Sequence, residues 1–154
     1  MGLMFEFSLQ TALDVRSRQE KIRMKELAEK LAIEQVIVNK IEQIKKDTTL
    51  ADTNMNSAKQ ARVLSTEQMK LLSQFKGRME VVMGQCQENL VIAKNAVAAK
   101  QKVLIEASRA KKTLEILKEK ELKRAKEKTA MFERKNMDEI AGNIFVRNQR
   151  ESQI

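Results

Sequence analysis

The chain contains no proline, and from Leu72 to Leu117 it carries a ladder of mostly apolar side chains spaced alternately by three and four residues. Leu72, Phe75, Met79, Val82, Cys86, Asn89, Ala93, Ala96, Lys100, Val103, Ala107, Ala110, Leu114 and Leu117 keep one phase, and only Asn89 and Lys100 among these fourteen are polar. Such spacing puts every rung on one side of a helix, the seam that a coiled coil buries against a second helix. The alanines at its middle let two backbones approach closely. A less regular stripe precedes it at Leu9, Leu13, Met24, Leu27, Leu31, Val38 and Ile41, widened by Ile33, Ile37 and Ile44 and broken at Glu34. Composition points the same way. Aromatic residues are 3% of the chain and charged residues 33%, too few rings for a globular core and the charge density of a long solvated helix.

Between the two stripes lies LADTNMNSAKQARVLSTEQ, whose Asp, Asn, Ser and Thr side chains compete for backbone hydrogen bonds and favour helix ends. Ser65 to Gln68 reads as a capping box, and Ser57 to Gln60 offers a second. The expected fold is therefore all-α: a single domain formed by a long antiparallel two-helix coiled-coil hairpin. Helix 1 is expected over about 5–55, the turn over about 56–65, helix 2 over about 66–145 and a frayed tail over 146–154. Gly77 and Gly84 fall inside the ladder and read as weak points of the second helix, at ~1 kcal/mol each relative to Ala. A tip near residue 61 places Phe5 opposite Leu117, where the ladder stops, so everything beyond Leu117 overhangs. About 28 residues at 1.5 Å each make that overhang ~42 Å long.

The missing residue types exclude chemistry. Without histidine and with one cysteine, the chain has no means to build a zinc site, a thiol–imidazole pair or a Ser/His/Asp relay. Gly2, Gly77, Gly84 and Gly142 are too scattered to cradle a phosphate. The chain reads as a non-enzyme that needs no metal or cofactor. Cys86 sits in the seam as a small hydrophobe rather than a reactive thiol, and seam methionines such as Met24 and Met79 read as adaptable filler. One cysteine gives no reason to expect an oxidising compartment. The MGLMFEFSLQ start lacks a basic region and has Glu6 where a signal peptide needs apolar residues and where myristoylation needs Ser or Thr. No apolar run approaches the ~20 residues of a membrane span.

Charge and apolarity both concentrate late in the chain. Residues 111–135 hold ten Lys or Arg against five Glu, whereas residues 1–55 hold nine of each sign, so the net charge of +9 lies in the second arm. Met137, Ile140, Ala141, Ile144 and Phe145 then recur at helical spacing with no intramolecular partner left to cover them. The stripe suits a partner protein, self-association or docking of the MFEF start. The basic run, interleaved with Glu at helical pair spacing as in Glu119 and Lys123, reads as a solvated face. Its rival reading is a generic basic coiled coil that binds nucleic acid or an anionic membrane surface.

The ends of the chain carry a resemblance. Phe5, Phe7, Leu9, Gln10, Leu13, Asp14, Arg16, Glu20, Glu26, Leu27 and Ala28, with Glu133, Lys135, Asp138, Glu139, Ile140 and Ala141, resemble the opening and closing segments of the flagellar export protein FliJ family. The resemblance implies a cytoplasmic stalk like that of rotary ATPases, peripherally held at the inner membrane at the flagellar base. It would be a monomer when free, with no specific nucleic acid partner and membrane contact only through other proteins. The implied partners are the hexameric flagellar export ATPase, the cytoplasmic domain of the export gate, and export chaperones. For the ATPase ring the candidate contacts are Phe5, Leu9, Asp14, Arg16, Lys123, Arg124, Asp138, Glu139, Ile140 and Phe145. For the gate-facing tip they are Ile44, Leu71 and Phe75, in a chain with Asp47 and Ala51 where the family often places aromatics.

Overall fold

The computed structural model describes residues 4–63 and 65–154; Gly2 and, within the expected turn, Leu64 lie outside the described residues. Two helices account for nearly all of them: α1 spans Gln10–Gln60 and α2 spans Thr66–Ser152. They pack against each other as a two-helix hairpin, and the described residues contain no strand. Both helices outrun their expected ends. Helix α1 begins five residues later than expected and ends five later, and α2 continues through the stretch expected to fray.

The hairpin divides into two compact units, one of Lys21–Glu106 and one of Met1–Glu20 with Ala107–Ile154. In the first, Ile41, Ile44 and Cys86 form the core, with Ile37, Met79, Val82, Met83 and Leu90 packed around them. Ala93 and Val97 continue the buried line. The seam departs from the sequence ladder just past Cys86. Asn89 is exposed and Leu90 takes its place; Val97 is buried at 6% exposure, beyond the rung at Ala96. A straight helix at 3.6 residues per turn drifts about 20° per heptad against a 3.5-residue ladder, so the packed face moves onto the neighbouring positions.

The stripe on α1 is corrected more strongly. Met24, Leu31 and Ile33 are exposed, while Arg23, Glu26, Lys30 and Glu34 are half-buried beside Leu27 and Val38. Charge explains the exchange. Lys100, the polar rung of α2, donates to Glu26 at 3.3 Å, and Glu26 also accepts from Arg23 at 3.0 Å. Long charged side chains lay their methylene stems along the alanine-rich surface and keep their heads solvated.

The turn shows why α1 ends where it does. The Val63 amide donates to the Ala58 carbonyl at 3.1 Å and the Arg62 amide to Lys59 at 3.2 Å, the paired bonds of a Schellman cap. That cap needs a left-handed residue, here Arg62 at φ 55°. Helix α2 then starts on the capping box at Ser65: the Ser65 amide donates to Gln68 Oε1 at 3.1 Å, and the Gln68 amide donates to Ser65 Oγ at 3.2 Å. Ser57, the alternative cap, lies inside α1, where its carbonyl accepts from Ala61. The reversal is thus confined to residues 61–65. A tip at residue 61 would set Asp52 opposite residue 70, but Asp52 pairs with Lys76, a register about six residues further along α2.

Candidate functional site

The later register changes which residues the chain ends can present. In the terminal unit, Lys118 Nζ donates to Gln10 Oε1 at 2.7 Å, and Lys111 pairs with Glu20 at 3.3 Å and with Glu115 at 3.6 Å. The hydrogen bond to Glu20 is the main reason that the Lys111 ammonium is held above its ordinary pKa of 10.5. Phe7 and Leu13 are the buried anchors of this end, and Phe5 is half-buried. Phe7 was absent from the sequence candidates. Its signal was the Phe-Glu-Phe alternation, which turns both rings to one side of a non-helical segment.

The expected overhang after Leu117 is shorter than the ladder implied. Leu122, Ala125 and Thr129 are still half-buried, and only from Ala130 onward is every residue exposed. The segment Met4–Leu9 precedes α1 and is not helical. At its end the Gln10 amide donates to the Phe7 carbonyl at 3.0 Å, a turn that leads into α1, and Phe7 is buried whereas Met4 is 98% exposed.

Among the ring candidates, Asp14 and Arg16 are exposed on the first turns of α1. Asp14 accepts from Gln10 Nε2 at 2.9 Å, and Arg16 Nη1 donates to Gln19 at 3.3 Å. Leu9 is partly exposed. Lys123 and Arg124 are exposed on α2 beyond the Lys118–Gln10 contact, and Asp138 and Glu139 are exposed further along it. Ile140 and Phe145 are 55% and 62% exposed, with Met137 and Ile144 on the same stretch. A helix of apolar side chains left this open offers an association surface without reactive groups.

The tip candidates separate. Ile44 is buried in the core of the Lys21–Glu106 unit, Phe75 is half-buried, and Leu71 stands 62% exposed. Beside them an open groove of about 580 Å³ runs between the helices, lined by Thr48, Thr49, Met79, Met83 and Gly84 and edged by the Asp52–Lys76 pair. Sequence reasoning missed this groove because its floor is made by the spacing between helices, which depends on register. Cys86 is a buried free thiol in the core. Among the described residues no cluster of His, Cys, Asp and Glu could hold a metal ion, and no helix is long and apolar enough to cross a membrane.

No curated protein and no solved structure matches the chain. A family model does: that of the flagellar FliJ protein matches residues 5–150, nearly the whole sequence and both of the segments that carried the resemblance. The chain therefore belongs to the flagellar FliJ protein family and is a flagellar export-related protein.

Proposed function

We propose that this protein is the non-enzymatic stalk and escort subunit of the flagellar type III export ATPase complex. Its paired chain ends dock in the ATPase hexamer and favour the assembled ring. Its tip engages the cytoplasmic domain of the export gate, and export chaperones are a further class of partner. The observation that carries the reading is the exposed end of α2, where Ile140 and Phe145 remain open beyond Thr129, the last half-buried position. A partner that binds only the folded chain end is stabilised with it by mass action. Lys123 and Arg124 complement acidic loops on a ring and would speed encounter, while the apolar stripe would set the lifetime of the complex.

At the tip, Leu71 and Phe75 are the available apolar contacts, while Ile44 is buried in the core with Ile41 and Cys86. The protein would work in the cytoplasm at the inner-membrane face of the flagellar base, as a monomer until it meets the ring. The test is binding to the cognate export ATPase, comparing the full chain with Ile140→Asp/Phe145→Asp. Losing two buried apolar anchors is expected to weaken binding by at least about 3 kcal/mol, more than a hundredfold. Undiminished binding by a variant of unchanged helicity would remove the chain end from the interface.

A further inference from the structure

Helix α2 sorts its cations into two sets within the terminal unit. Lys111 and Lys118 face α1 and are engaged there, by Glu20 and Gln10. Arg109, Lys112, Lys120, Lys123 and Arg134 recur at helical spacing on the opposite side, away from the packed positions Leu122 and Ala125, and all five are exposed. Among the described residues none of these five is in an ion pair. Two negative charges, Glu119 and Glu127, fall along their file, leaving a net excess of three cations. From Arg109 to Arg134 the file extends ~38 Å at 1.5 Å per residue. The same side then continues with Met137 and Phe145, both more than 60% exposed, and with Asp138 between them.

We propose that this side of α2 lies on an anionic phospholipid bilayer, with the cations over the headgroup phosphates and Met137 and Phe145 seated at the acyl boundary. The proposal goes beyond the stalk reading and does not need it. Each cation held at an anionic surface contributes on the order of 1 kcal/mol, and clusters of four to eight on one helix suffice for reversible binding. A helix with cations in file and apolar bodies at its end is suited to lying in the interface, and α2 has no stretch able to span a bilayer. A bilayer also fits better than nucleic acid. Phe132, the one aromatic side chain between Arg109 and Arg134, falls on the other side of the helix from Lys123, so no ring lies in the file for a base to stack on, and Met137 and Phe145 find no complement along a phosphate backbone. Lys123 and Phe145 are also ring candidates, so ATPase and bilayer would exclude one another there.

The test is flotation of the full chain, without ATPase, on vesicles of phosphatidylcholine with and without phosphatidylglycerol. The chain is expected to float with the anionic vesicles only, and progressively less as salt rises above the physiological ~0.15 M. The combined variant Arg109→Gln/Lys112→Gln/Lys120→Gln, which leaves every ring candidate in place, is expected to lower partitioning at least about tenfold. The charge-retaining variant Arg109→Lys/Lys112→Arg/Lys120→Arg is expected to float like the parent, separating loss of charge from loss of fold. The proposal is overturned if the chain ignores anionic vesicles, if the Gln variant floats undiminished, if the charge-retaining variant fails to float, or if duplex DNA at equal phosphate strips the chain from them.

Discussion

Lys100 is one of two polar rungs in an otherwise apolar ladder, and its partner Glu26 shows what a half-exposed charge can do in a seam. The pair is open to solvent, so its contribution to stability is modest, and its larger effect is on register: a hairpin slipped by one turn would set Lys100 against Arg23 or Lys30, a like charge. The Glu26 carboxyl lies below its ordinary value of 4.5, mainly through the Arg23 hydrogen bond and then through Lys100. A depressed carboxylate contributes above its unfolded pKa and loses that contribution as pH falls through the folded one. Thermal melts should therefore show Glu26→Gln less stable than the parent near neutrality, with the gap closing below about pH 4.5. A gap that stays constant into acid would assign the loss to packing. Lys111 has the opposite sign: held above 10.5, it contributes below that value and stops contributing as pH rises past its folded pKa. At this scale the sequence was readable where a position is forced. Cys86 and Ala93 are buried as the ladder required, but Asn89 and Met24 were assigned to the seam by a period that real helices do not keep.

The helices owe their existence to pattern and their limits to caps. The Ser65 box was legible because its two hydrogen bonds need only residue types three apart. The end of α1 was not, because its Schellman cap uses Arg62 where glycine would announce the position. A left-handed residue bearing a Cβ costs roughly 1–2 kcal/mol, so Arg62→Gly should stabilise the hairpin by about 1 kcal/mol, read as a raised midpoint in urea. Destabilisation would mean that the arginine side chain supports the turn. The start of α1 is a comparable case. The first stripe reaches back to Leu9, yet the helix begins at Gln10, after a non-helical Met4–Leu9 in which Phe7 is nonetheless buried. Hydrophobic period reports which residues are covered, and it is silent on whether the covering chain is helical.

For the molecule as a whole, hairpin topology and family were both available from sequence, the first from two stripes separated by one polar interval and the second from the motifs at the two ends. Register was not, because the end of α1 was not: α2 starts where the Ser65 box put it, but α1 runs on to Gln60, and the shorter turn moves the pairing by several residues. That shift decides where the free end of α2 begins, and with it the proposed ring-docking segment. The central claim is that residues after Ala130 act on the export ATPase. The most direct test is ATP hydrolysis and ring formation by the cognate enzyme with the full chain, with the chain ending at Ala130, and with Leu71→Asp near the turn. The account predicts stimulation by the full chain and by Leu71→Asp, and its loss on truncation although the hairpin core stays folded. Equal stimulation by the truncated chain would contradict it and move the activity into the packed part of the hairpin.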